Sequence, residues 1–192
     1  DFHMHYGDVF LGKTTVLCKD TPAFIANRVG VFSMMSVLHI MEKMGLTIDE
    51  VEALTGPILG RPKSATFRTA DVVGIDTLVK VANGVAENCP NDEAKATFQL
   101  PSWLEKMVEQ NWLGDKTGQG FFKKVKTATS KEILTLNLAT LEYEPRKKTK
   151  MASIDAAKAV DNLPARLKVL YHSKDKAGQF IQSFHHALFS YI

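Results

Sequence analysis

Asn27 and Arg28 stand side by side near the start of a stretch, Ala23 to Met44, that is otherwise apolar on nearly every face. An amide or guanidinium left unpaired in a dry core costs several kcal/mol, roughly 2–7 for the amide. The pair therefore needs either bonds to neighbouring loops or a polar cleft at the N-terminal end of the helix, where the dipole favours polar contacts. An asparagine can both donate and accept a hydrogen bond. Asp71 and Asp76, five residues apart, do not share a helical face for paired acid and base work, and read as an N-cap and a surface acid.

Other patterns promise more chemistry than their context supports. Gly7-Asp8-Val9-Phe10-Leu11-Gly12-Lys13-Thr14 completes the spacing of a P-loop, whose glycine-rich turn aims backbone N–H groups at phosphates. Its interior is apolar, and Thr14 to Cys18 is β-prone where the motif requires a helix, so the match reads as accidental. Gly118-Gln119-Gly120 lacks the third glycine, the following helix and the acid of a dinucleotide fingerprint, and reads as a turn. His3 and His5, and His185 with His186, do not have the i, i+4 spacing of a helical metal site. Cys18 and Cys89 are far apart with no CxxC pair, which argues against a disulfide framework or a zinc knuckle and points to a reducing cytosol.

The elements that must hold these residues are mostly helical. Asp20-Thr21-Pro22 supplies a cap and a first-turn proline, predicting a long helix from Ala23 to Met44, about 33 Å at 1.5 Å per residue, closed by Gly45 in the left-handed conformation. Thr47-Ile48-Asp49-Glu50 is a capping box for a short helix to Thr55. Gly56, Pro57, Gly60 and Pro62 make a loop, helical spacing resumes from Thr69 to Asn88, and Ser102-Trp103-Leu104-Glu105 reads as a second capping box for a helix that Gly114 ends. Phe121 to Lys124 is at most a short extended piece, Ile133 to Tyr143 partly alternates, and Arg146 to Lys150 reads as a solvated basic linker. Helical spacing returns from Ile154 to Leu170 and from Ser173 onward. Lys19-Asp20 with Phe24-Ile25 is echoed by Lys174-Asp175 with Phe180-Ile181, either an internal repeat or a coincidence between two apolar helices.

The 192 residues contain 24 Lys+Arg and 21 Asp+Glu, and the net charge of +3 looks too slight and too scattered for a nucleic-acid groove. An apolar fraction of 45% allows a real core. The longest apolar stretch, Val29 to Met41, falls short of the roughly 18 residues that span a bilayer, so membrane insertion is not expected. The chain opens on Asp1 and closes within an apolar segment, and reads as a fragment excised from a longer protein.

Four segments in order, Gly12-Lys13, Lys19-Asp20-Thr21-Pro22-Ala23-Phe24-Ile25-Ala26-Asn27-Arg28, Phe67 to Asp71 with Gly74-Ile75-Asp76, and Lys116-Thr117-Gly118-Gln119-Gly120-Phe121-Phe122, resemble the C-terminal domain of 3-hydroxyacyl-CoA dehydrogenases. Ala23 departs from the glycine usual in that family. The resemblance implies an all-α fold: a bundle like the C-terminal domain of 6-phosphogluconate dehydrogenase, built on a long central helix, over residues 1–125. A linker at 126–150 and the start of a second similar helical unit at 151–192 would follow, as in multifunctional β-oxidation proteins. It further implies an NAD-dependent oxidation of 3-hydroxyacyl-CoA to 3-oxoacyl-CoA in fatty-acid β-oxidation, with NAD bound by an N-terminal domain outside this chain. The acyl-CoA would lie in the cleft between the two domains. The family's catalytic histidine and glutamate would lie upstream, since His3 and His5 do not match their setting. Asn27 aligns with the asparagine that bonds the substrate oxygen and the histidine, and Ser183 takes the equivalent place in the echo. The fragment alone would be inactive, the protein cytoplasmic and homo-oligomeric, with no nucleic-acid partner. The competing readings are a non-catalytic helical dimerisation or docking module and, third, a P-loop nucleotide binder.

Overall fold

The computed structural model describes residues 2–126 and 131–192. Asp1 and residues 127–130 of the expected linker lie outside the described residues. A single turn, α1 (Phe2–His5), runs on into a π-helical turn over Tyr6–Phe10, and residues 12–19 then follow without regular structure. No helix begins at Lys13-Thr14, the defining feature of a P-loop.

The long helix α2 spans Ala26–Met44, three residues shorter at its start than expected. Thr21-Pro22 forms a turn instead, with Phe24 N–H donating to Thr21 O at 3.1 Å, and Ala23 and Phe24 both adopt positive φ (64° and 47°). No side chain caps α2. Its other end follows the local signals closely: Gly45 is left-handed at φ 62°, and the Thr47–Glu50 capping box opens α3 (Ile48–Thr55).

The expected helix from Thr69 to Asn88 is two helices, α4 (Phe67–Val73) and α5 (Ile75–Asn88), broken at Gly74 with φ 101°. The break frees Ile75 N–H to donate to Leu113 O at 3.2 Å, a long-range bond that no local pattern announces. In α6 (Ser102–Glu109) Ser102 makes no cap; Leu104 N–H donates to Pro101 O instead. Asn111 at φ 57°, rather than Gly114, takes the left-handed position after that helix.

Three antiparallel strands follow, β1 (Phe122–Lys126), β2 (Lys131–Asn137) and β3 (Glu142–Pro145), in the order β1-β2-β3 with Phe122 opposite Thr135 and Leu136 opposite Tyr143. The alternating stretch Ile133 to Tyr143 thus covers most of a strand pair and its turn. Residues Arg146 to Lys150 are not simply solvated. Arg146 Nε and Lys147 N–H donate to the two carboxylate oxygens of buried Asp49, at 2.9 and 2.7 Å, and Thr149 Oγ1 donates to its carbonyl. The C-terminal helices are α7 (Ala152–Lys158), α8 (Leu163–His172) and α9 (Lys176–Tyr191), so the helical spacing from Ile154 to Leu170 is divided in two.

The fold is therefore helical with one small sheet. A continuous core runs from Phe32, Met35 and Leu38 of α2 through Leu78 and Val85 of α5 to Phe180, Ile181 and Phe184 of α9. No helix among the described residues is long and apolar enough to cross a membrane.

Candidate functional site

Asn27 is the second residue of α2, where an amide N–H has no intrahelical partner. Of the two expected settings, bonds to neighbouring loops or a polar cleft, it does not take the first: its side chain is exposed and meets no hydrogen-bond partner among the described residues. Apolar side chains surround it in sequence and are also uncovered. Phe24 is 57% and Ile25 47% exposed, and Val16 and Leu17 more so. The edge is polar at one point and hydrocarbon around it.

Arg28, its neighbour, follows the other branch of the expectation and bonds other elements. Its guanidinium pairs with the carboxylate of Asp92, whose side chain is fully buried, and Arg28 Nε donates to Tyr191 Oη at 2.8 Å. Tyr191 in turn donates to Asp92 Oδ2 at 2.8 Å and stacks on Phe32 with ring centroids 3.8 Å apart. The Tyr191 hydroxyl and the Asp92 carboxylate raise the Arg28 pKa further above its ordinary value. Burial would lift Asp92, but the Ala94 amide, Tyr191 and Arg28 hold it below the usual carboxylate range. Burial pushes the Tyr191 phenol up to about 12. This triad fastens α9 to the first turn of α2 beside Asn27.

Asp71 is neither a cap nor a surface acid. It lies 2% exposed inside α4 and accepts from the N–H groups of Phe121 and Phe122 at 2.8 and 2.9 Å. Burial pushes its pKa up to about 6 against those two donors. The turn Gly118-Gln119-Gly120 is shaped by this contact. A Cβ on Gly120 would come within 2.2 Å of Asp71 Oδ1, and one on Gly114, at φ 96°, within 2.2 Å of Asp71 O. Arg68 pairs with both oxygens of Asp115 at 2.7 Å, and Lys116 pairs with Asp76, which is the surface acid expected. The third and fourth signature segments therefore join each other and are structural. The second forms the open edge at Asn27, and Gly12-Lys13 lies exposed apart from both.

Asn27 lines neither of two cavities that the described residues form elsewhere. One, about 360 Å³, is closed by the end of α2 and by β2. The other, about 1160 Å³, lies between α3, β1, β2 and α7. Glu52 borders it, half-buried, accepting from the N–H groups of Thr66 and Phe67 at 3.0 and 2.6 Å, and burial pushes its pKa up to about 7. Sequence reasoning missed Asp92, Glu52 and the burial of Asp71, because their partners lie up to about a hundred residues away and leave no local spacing.

The Gly118-Gln119-Gly120 turn does not fit a dinucleotide fingerprint. Gly118-Gln119-Gly120 leads into β1 rather than a helix, and its glycines are needed for the approach of Asp71. Among the described residues no group of three or more His, Cys, Asp or Glu side chains converges to hold a metal.

A helical bundle whose signature residues lock α4 to β1 and leave the start of its central helix open is thus the class of domain defined here. Residues 24–124 match the family model "3-hydroxyacyl-CoA dehydrogenase, C-terminal domain", and the chain belongs to that family. It is 44% identical over 180 residues to the "Probable 3-hydroxyacyl-CoA dehydrogenase" of Bacillus subtilis, covering 94% of this chain and 22% of that one. It is 34% identical over 113 residues to human "Hydroxyacyl-coenzyme A dehydrogenase, mitochondrial", covering 59% of this chain and 35% of that one. Among solved structures, FadB2 of M. tuberculosis matches with a TM-score of 0.54 and 28% identity, over 64% of this chain and 41% of that chain. The chain thus spans well under half the length of each of these three proteins.

Proposed function

We propose that this chain is the C-terminal substrate-cleft and dimerisation part of an NAD-dependent 3-hydroxyacyl-CoA dehydrogenase, acting on 3-hydroxyacyl-CoA in fatty-acid β-oxidation. The reading divides the chain at about residues 125 and 150, with residues 151–192 beginning a second helical unit. The protein works in the cytoplasm as a homo-oligomer, NAD is held by a domain outside this chain, and the chain alone does not catalyse.

The observation that carries the reading is the open edge at Asn27. An exposed polar side chain that closely follows uncovered Phe24 and Ile25 along the chain is what the wall of a crevice presents before its second wall is in place. On this reading Asn27 donates its amide N–H to the reacting oxygen and accepts from the histidine of the neighbouring domain, keeping the ring oriented to take the hydroxyl proton. The Arg28–Asp92–Tyr191 triad keeps that turn of α2 in place.

The test is Asn27→Ala in the full-length enzyme. Turnover should fall roughly a hundredfold, the cost of losing one preorganised donor, while NAD affinity stays unchanged. Unchanged turnover would overturn the role, and the exposed edge would then belong to a docking module alone.

A further inference from the structure

The chain's small positive surplus is not scattered. Eight lysine and arginine side chains and four carboxylates line the cavity of about 1160 Å³ between α3, β1, β2 and α7, an excess of four positive charges where the whole chain carries +3. The rest of the molecule is therefore slightly acidic, and the basic character of the protein sits in one concave surface.

The four carboxylates are already engaged. Asp49 accepts from Arg146, Lys147 N–H and Thr135, and Asp115 holds Arg68 through both oxygens. Glu52 accepts the backbone N–H groups of Thr66 and Phe67, and Asp155 stands 3.9 Å from Lys158. Among the described residues Lys63, Lys124, Lys148 and Lys150 form no ion pair, and Lys124 only adds its charge to that of Arg68 in lowering the Asp115 pKa. They come from separate segments: the loop before α4, strand β1, and the strap that Asp49 ties down. Ammonium groups collected around a concavity without matching carboxylates repel one another, and an anion with several charges removes that cost. The fixed strap matters, because ligand binding need not order it.

We infer that this cavity binds a small ligand carrying clustered phosphates, with Lys63, Lys124, Lys148 and Lys150 as its charge contacts. Compact phosphates suit ammonium groups, which act as point charges without a required plane. Ile133, Ile154 and Ala53 supply an apolar wall for an organic part. The volume of about 1160 Å³ slightly exceeds the usual range of small-molecule sites, about 300–1,000 Å³, and leaves room for a nucleotide. Two sources carry this chemistry: a free nucleoside 3′,5′-bisphosphate and inorganic polyphosphate. The inference makes no use of Asn27.

Calorimetry on the full-length protein tests it, with adenosine 3′,5′-bisphosphate and inorganic tripolyphosphate as separate probes. The wild type should bind at least one, more weakly as salt rises. Lys124→Glu/Lys148→Glu should weaken that binding at least about tenfold, a change of about 1.4 kcal/mol. Lys80→Glu/Lys106→Glu, an equal charge change on exposed faces outside the cavity, should leave it unaltered. Preference for the bisphosphate names a nucleotide as the source, and preference for tripolyphosphate names the inorganic chain. Failure of both probes to bind, or equal weakening by the two double variants, overturns the site.

Discussion

Two segments share a short pattern and fold differently. Lys174-Asp175 with Phe180-Ile181 opens α9, and Lys19-Asp20 with Phe24-Ile25 precedes α2. In the later copy Asp175 accepts from Gly178 N–H at 3.1 Å as a true N-cap, and Phe180 and Ile181 are both 0% exposed. In the earlier copy Asp20 caps nothing, the helix waits until Ala26, and Phe24 and Ile25 face outward over a left-handed turn. The residue types are the same; the surroundings are not. In the later copy α2 and α8 pack over the helix, while Phe24 and Ile25 ahead of α2 stay uncovered. A cap-and-apolar signature therefore reports that a helix is near, and burial decides where it begins.

Five substitutions probe that contrast, each read by chemical denaturation. Phe180→Ala should cost about 3–5 kcal/mol as a core truncation, whereas Phe24→Ala should stay within about 0.5 kcal/mol. Equal losses would mean that Phe24 is packed and the edge is closed. Asp175→Ala should remove a working cap for about 1 kcal/mol, and Asp20→Ala should do almost nothing. Ala23→Gly should stabilise by about 0.5–1 kcal/mol, because a residue with a Cβ is strained at φ 64° and glycine is not. A destabilising result there would show that the turn is held differently in solution.

The parts of the fold that were legible are those written in adjacent residues. Gly45 and the Thr47–Glu50 box fix one end of α2 and the start of α3 within six residues, and the sequence alone places them. The break at Gly74 was invisible because its reason is Leu113, and the strap at Arg146 was misread because its reason is Asp49. Asn27 is proposed from its alignment with a family pattern. The argument from burial did not apply, since an amide on an open edge incurs no desolvation cost.

Asp71 has a consequence for how the molecule opens. Its carboxylate holds two backbone protons fifty residues downstream, on the residues that begin β1. Those protons can exchange with solvent only when helix and sheet part company, and a local fraying of either leaves the other still attached. The meander and the helix that grips it thus form one cooperative unit, with no separate melting step available to the strands.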